Sequence, residues 1–237
     1  MHCYFYVNSG TGDAFLLSLC TMKNVYFLSG LGADERMFQA LDLSFCKPVF
    51  VPWIQPGPQE SLPAYASRLR QTIPEENPCI VGLSFGGMLT VEMAKLNNAI
   101  KAIIISSAKT RSEIPAWIKL SRFWPLHRYL PHDFIRWFEK RNDYFFGPLQ
   151  PDTKKVLNHI IDDSDLYFDA WAVDAIISWQ NNEVPGNLVH IHGDADRLLP
   201  YSLVYCNETI TGGSHLMVMD HATEVTTVLR KYITGMA

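Results

Sequence analysis

Short apolar runs alternate with stretches at helical spacing along most of the chain, and that alternation predicts a layered α/β protein. Val25 to Leu28 is a β-rich run ending in Ser29-Gly30-Leu31-Gly32. Pro48 to Trp53 is another, ending in the proline-rich turn Gln55-Pro56-Gly57-Pro58. Both read as buried strands. From Ser61 to Ile73 the apolar positions Leu62, Tyr65, Ala66, Leu69 and Ile73 share one helical face, and Pro63 sits in the first turn, where its missing N–H is tolerated. Pro78 to Leu83 reads as a third strand, Met88 to Leu96 as a helix, and Ala99 to Ser106 as a fourth strand, almost wholly apolar after its lysine. Strands that are apolar throughout have to be covered on both faces, so the fold class expected is α/β with a mostly parallel, doubly wound sheet.

From about Ala108 to Asn182 the strand signal disappears. Pro115, Pro125, Pro131, Pro148 and Pro151 divide the segment into several short helices, which reads as a helical cap inserted within one α/β domain spanning 1–237. Aromatic density roughly doubles in it, and five of the six tryptophans (Trp117, Trp124, Trp137, Trp171 and Trp179) fall inside. Most of these rings are expected to build the core of a small helical subdomain, and the remainder to line an apolar pocket facing the sheet. After the segment, Asn187 to His192 and Glu208 to Thr211 resume strand character. Thr223 to Ile233 closes with an amphipathic helix carrying Val225, Val228, Leu229 and Tyr232.

Charge narrows the partners. With 20 basic against 24 acidic side chains the formal charge is −4, so the basic excess that neutralises a polyanion is missing and no nucleic-acid partner is expected. No apolar run reaches the ~18–20 residues that span a bilayer. Cys3, Cys20, Cys46, Cys79 and Cys206 are odd in number and scattered, which suggests neither a disulfide framework nor a zinc knuckle; a reducing cytoplasm is the simplest home. Residues 1–21 carry two readings: a hairpin of Tyr4 to Asn8 with Ala14 to Leu19, or translation beginning at Met22. Ala14 to Cys20 faintly resembles a signal-peptide apolar region, but no Lys or Arg precedes it. Oligomeric state is not legible.

The chemistry lies where the strand Cys79-Ile80-Val81 runs into Gly82-Leu83-Ser84-Phe85-Gly86-Gly87 and a helix follows, the setting of a nucleophile elbow. A serine on so sharp a turn carries strained backbone angles, and Gly82 and Gly86 leave room for neighbouring chain. Ser84 would then stand at the carboxyl edge of the sheet, beside a helix N-terminus whose Phe85 N–H can donate to an oxyanion. A hydroxyl is too weak an acid to attack alone, so a histidine must take its proton and a carboxylate must orient that histidine. His215 is best placed, following the last strand within Thr211-Gly212-Gly213-Ser214-His215. His221 reads as the start of the final helix, with a capping or surface role. His2, His127, His132 and His159 read as solvated. For the acid, His192-Gly193-Asp194-Ala195-Asp196 offers two carboxylates: Asp196, deeper in the loop, is favoured, and Asp194 would cap or brace the turn. The remaining carboxylates read as surface charges or helix caps.

On these residues the sequence resembles the α/β-hydrolase superfamily from Met22 onward. The order Ser84, Asp196, His215 is the order that superfamily uses, and Gly193-x-x-Asp196 followed by Pro200 looks like its acid loop. The resemblance implies that Leu31, in Ser29-Gly30-Leu31-Gly32, supplies a second oxyanion N–H beside that of Phe85. One departure is that many relatives have His-Gly where this chain has Ser29-Gly30. Similar folds that carry aspartate at the nucleophile position, the haloalkane dehalogenases and epoxide hydrolases, use an ester-intermediate chemistry that Ser84 excludes here.

Two rivals remain. His190-Ile191-His192-Gly193-Asp194 looks like the start of a metallo-β-lactamase metal motif, but Ala195 stands where a further histidine belongs. The bland alternative makes His190 and His192 strand residues, one or both hydrogen-bonded under the cap. A non-catalytic receptor using the hydrolase shell is the other rival, against which the Ser, His and Asp set argues. The expected activity is hydrolysis of a small or medium apolar carboxylic ester through an acyl-enzyme, with thioesters or carbon–carbon bonds as alternatives and no metal or organic cofactor required.

Overall fold

Alternation along the central strands decides which side chain meets which layer. The computed structural model describes residues 22–120, 140, 143–146 and 149–235. The hairpin considered for residues 1–21, together with His2, His127, His132, Trp124 and Trp137, lies outside them. Six parallel strands, β1 (Asn24–Leu28), β2 (Lys47–Phe50), β3 (Cys79–Leu83), β4 (Lys101–Ile105), β5 (Leu188–Gly193) and β6 (Glu208–Ile210), form one sheet in the order β2-β1-β3-β4-β5-β6. The described helices are α1 (Leu62–Arg70), α2 (Phe85–Leu96), α3 (Ala116–Leu120), α4 (Asp143–Phe146), α5 (Pro151–Asp163), α6 (Leu166–Ser178), α7 (Met217–Asp220) and α8 (Ala222–Thr234).

Tyr26, Leu28, Ile80, Ala102 and Ile104 face one side, where they meet Leu62, Tyr65 and Leu69 of α1 and Leu89 and Met93 of α2. Val25, Phe27, Val81, Ile103 and Ile105 face the other, where Met217, Val225, Leu229 and Ile233 cover them. Burying each aliphatic side chain contributes about 1.5–3 kcal/mol, and a one-residue slip would send every one of them to the wrong layer. Ser61 caps α1 by accepting from the Ala64 N–H, and the helix carries its proline in the first turn. Among the described residues, no helix is long and apolar enough to cross a membrane.

Two expectations change. The strand read over Pro48 to Trp53 is the shorter β2, and it is not buried: it pairs with β1 at the sheet edge, with Lys47, Pro48 and Phe50 exposed. Lys47 and Val51 donate towards β1, so the missing N–H of Pro48 falls on the open side, the place where a strand tolerates proline. Some rings of the 108–182 segment, expected to build a core of its own or to line an apolar pocket, pack instead on the main layer. Phe168 and Trp171 of α6, with Trp179 just after it, join the layer over α1 and α2: Trp171 lies 4.4 Å from Tyr65 between ring centroids, and its indole donates to the Glu60 carbonyl.

Chain order places the crevice. The connection from β1 to β2 passes over the face that holds Met37 and Phe38, whereas α1 and α2 cover the opposite face. Strand order therefore reverses between β1 and β3, and the loops at their carboxyl ends part around a gap, the usual ligand position in such sheets.

Candidate active site

Ser84 stands at that reversal. Its backbone is at φ 50°, ψ −115°, left-handed space that a non-glycine residue enters only when its surroundings over-determine it. Four bonds hold it there: Ser84 N donates to the Ile105 carbonyl at 2.9 Å, and the Ser84 carbonyl accepts from Gly87 N at 2.9 Å, from Met88 N at 3.2 Å and from Ser107 Oγ at 2.7 Å. The turn closes only because its flanks lack side chains. A methyl group on Gly82 would run into the Gly86 carbonyl and Thr90, and one on Gly86 into the carbonyls of Leu28 and Ser29. The helix α2 begins at Phe85, three residues before the apolar spacing indicated, because the glycines wind into its first turn.

Around Ser84 the chain brings together residues far apart in sequence. His215 Nε2 lies 2.9 Å from Ser84 Oγ, and His215 Nδ1 lies 2.8 Å from Asp196 Oδ2. The other carboxylate oxygen accepts from Leu198 N and Leu199 N, each at 2.9 Å. Asp196 and His215 are buried and Ser84 is partly open. Burial alone would raise the Asp196 carboxyl, but the charge and hydrogen bond of His215, the neighbouring His192 and the Leu199 N–H outweigh it and hold the group below its usual range. An ionised Asp196 only accepts, so the His215 proton sits on Nδ1 and the Nε2 lone pair meets the serine hydroxyl.

The alternatives weighed for these roles sit elsewhere. Asp194 braces the turn: its Oδ1 accepts from Gly212 N at 2.7 Å, and Ala195 N donates to the Gly213 carbonyl at 3.1 Å, so the loops carrying Asp196 and His215 are tied by one side-chain and one backbone bond. His221 precedes α8 and bonds Asp220 through Nδ1 at 2.9 Å. His159 is exposed on α5. His190 and His192 are fully buried on one face of β5, with His190 Nε2 3.1 Å from His192 Nδ1 and His192 Nε2 2.8 Å from the Leu199 carbonyl. His190 Nδ1 faces the Lys109 ammonium at 3.0 Å, so no ring nitrogen of the pair is left for a metal ion, and the lysine would repel one.

Phe85 is the first residue of α2, where an N–H has no partner within the helix. The turn bearing Leu31 passes close by: a methyl group on Gly30 would lie 3.7 Å from Ser84 Cβ. Beyond these groups opens a cavity of ≈ 340 Å³, with Ser84, Phe85, Leu31 and His215 in its wall. Trp117, Phe146, Leu157, Ile160, Ile176 and Ile177, all from the 108–182 segment, make the wall largely apolar.

A family model described as the alpha/beta hydrolase family matches residues 25–228, nearly all of the described chain. The chain belongs to the alpha/beta hydrolase family. Solved structures agree on the fold. An esterase from Thermogutta terrifontis is 15% identical with a TM-score of 0.66, the match covering 91% of this chain and 90% of that one. An esterase from Exiguobacterium antarcticum is 16% identical at 0.67, covering 90% and 92%. The enol-lactonase of Burkholderia xenovorans LB400 is 14% identical at 0.63, covering 98% and 96%. No match was found among curated proteins.

Within this family member, two carboxylates assigned by sequence to surface or capping roles are buried. Glu92 accepts from the Trp179 indole at 2.7 Å and pairs with Lys95. Glu113 pairs with Lys109 at 2.7 Å beneath the surface. The one sequence signal for the second pair was its i, i+4 spacing, which exposed helical pairs share.

Proposed function

We propose that this protein is a serine hydrolase that cleaves small or medium apolar carboxylic esters through an acyl-enzyme, with Ser84 as nucleophile, His215 as general base and acid, and Asp196 as the orienting acid. One observation carries the reading: the line Asp196, His215, Ser84, with spacings of 2.8 Å and 2.9 Å, ends at an apolar cavity. At ≈ 340 Å³ the cavity falls within the range of about 300–1,000 Å³ typical of small-molecule sites. The esterases among the similar folds are consistent with an ester as substrate.

In the mechanism, Ser84 Oγ attacks the ester carbonyl carbon as its proton passes to His215 Nε2. The Phe85 and Leu31 N–H groups receive the oxyanion, and the ionised Asp196 steadies the imidazolium. Collapse breaks the bond to the alcohol oxygen, which leaves with the proton from His215. Water then gives a proton to His215 and attacks the acyl carbon. The second collapse frees the carboxylic acid and returns the proton to Ser84. The 108–182 segment serves as the cap that contacts the substrate's apolar portion, because it supplies about half of the cavity wall.

A fluorophosphonate probe tests this directly. The folded wild-type protein should be labelled on Ser84, and Ser84→Ala should abolish labelling; folded wild-type protein that stays unlabelled overturns the reading. A panel of p-nitrophenyl esters of increasing chain length, run beside acyl-CoA thioesters, identifies the bond. Faster turnover of the thioesters would replace the ester assignment.

A further inference from the structure

Behind Asp196 lies a buried polar chain that the mechanism above does not use. Lys109, just beyond β4, directs its ammonium at Glu113 Oε1 (2.7 Å), at the Tyr205 carbonyl and at His190 Nδ1 (3.0 Å), so its three N–H groups are all engaged. From His190 the chain continues through His190 Nε2 to His192 Nδ1 at 3.1 Å, and from His192 Nε2 to the Leu199 carbonyl at 2.8 Å. His192 Nε2 also stands 3.4 Å from Asp196 Oδ2. All five side chains, Glu113, Lys109, His190, His192 and Asp196, are buried.

The two ends favour one placement of protons. An ammonium only donates, so His190 Nδ1 carries a lone pair and its proton sits on Nε2. That N–H donates to His192 Nδ1, which leaves the His192 proton on Nε2. The far end demands the same, because a carbonyl oxygen only accepts. Both imidazoles are thus neutral and share one tautomer, and the last N–H of the series grips Leu199 O while Leu199 N grips Asp196 Oδ1.

We infer that His192 is a positioning residue for Asp196: its Nε2–H, oriented through His190 by Lys109, pins the Leu199 peptide and thereby fixes the carboxylate that aims His215. The inference rests on Asp196 being the acid of the proposed reaction. Without this anchor the Leu198 and Leu199 N–H groups that cradle Asp196 lose their fixed position, and the imidazole loses its aim without any change in what touches the substrate.

His192→Leu removes the anchor, whereas His192→Gln returns an amide N–H near the position of Nε2. Outer partners of this kind, measured around metal-bound histidines, are worth about 10- to 100-fold, and a fall of that size in kcat for a p-nitrophenyl ester is expected of His192→Leu, with KM within about threefold. The downfield proton resonance of the His215 Nδ1–H bonded to Asp196 should weaken or move in His192→Leu, and His192→Gln should restore both it and most of kcat. Wild-type kcat with an unmoved resonance in His192→Leu overturns the inference, as does a His192→Gln variant no better than His192→Leu. Imidazole ¹⁵N shifts of the wild-type protein judge the chain if His192→Leu fails to fold, and they need no substrate. Protons on Nε2 of both His190 and His192 are expected, and a proton on Nδ1 of either ring refutes the chain. If Ser84→Ala keeps full turnover, the hydrolase reading fails in an assay separate from these resonances.

Discussion

Replacing Asp196 by asparagine alters one atom and should disable the site through a tautomer. The carboxylate accepts three strong bonds, two at Oδ1 from the Leu198 and Leu199 N–H groups and one at Oδ2 from His215. An asparagine must keep its carbonyl oxygen towards the two backbone donors, since an NH₂ there would face donors only. Its NH₂ then points at His215 Nδ1, which has to present a lone pair, and the imidazole proton moves to Nε2. That proton faces Ser84 Oγ, so the base can no longer accept from the hydroxyl. The same exchange in a serine-protease triad costs about 10⁴ in kcat, or about 5 kcal/mol of barrier. Steady-state hydrolysis of a p-nitrophenyl ester measures it, with circular dichroism to establish that the variant folds. Asp194→Asn is the control: its oxygen still accepts from Gly212 N, so turnover should stay within about threefold of wild type. A folded Asp196→Asn within about tenfold of wild-type kcat would refute the orienting role.

Two further outcomes follow from the same geometry. Ser84→Ala and His215→Ala should each lower kcat by on the order of 10⁴ to 10⁶, and the double variant should be little worse than either because the two act as a unit; nearly additive losses in the same ester assay would break the pairing. His190 and His192 tie activity to acid stability. Burial, above all, pushes both imidazoles below 6.5, with the Lys109 charge adding at His190. The unfolded chain binds protons that the folded one refuses, so stability is complete above 6.5 and falls as pH drops below it, by up to about 1.4 kcal/mol per pH unit for each ring. Asp196, held below 3.8, adds a second loss as the pH falls through that value. Urea midpoints measured from about pH 8 to about pH 5 should show the first loss, and His192→Leu should flatten it; a flat wild-type profile would mean the rings are not buried neutral.

What was legible in the sequence follows from how local each constraint is. Ser84 could be read because its turn demands glycine at two specific neighbours, and collisions at Gly82 and Gly86 supply the reason. The central strands could be read because apolar residues on both faces leave a continuous run. The extent of β2 could not, because an edge strand has one partner and the apolar residues beyond it, such as Trp53, serve packing over α2 instead: Trp53 lies 5.8 Å from Phe85 between ring centroids. The Glu113 and Lys109 pair was illegible for a different reason. Its burial comes from β5 and the loop at Tyr205, more than seventy residues downstream, and no local pattern announces a lysine whose partners arrive from there. The histidines of β5 could be read as hydrogen-bonded strand residues, but the direction of their bonds needed the lysine at one end and the Leu199 carbonyl at the other.

The tie between the acid loop and the histidine loop, through Asp194 to Gly212 and Ala195 to Gly213, makes these two hairpin-like bends one rigid casting. It is formed from the loops after β5 and β6, whereas α5 and α6 supply a separate part of the cavity wall. Selection for a new guest can therefore resculpt Ile160, Ile176 or Ile177 while the proton-handling parts keep their mutual alignment. A directed-evolution library confined to those wall positions should vary preference widely at little expense in intrinsic reactivity.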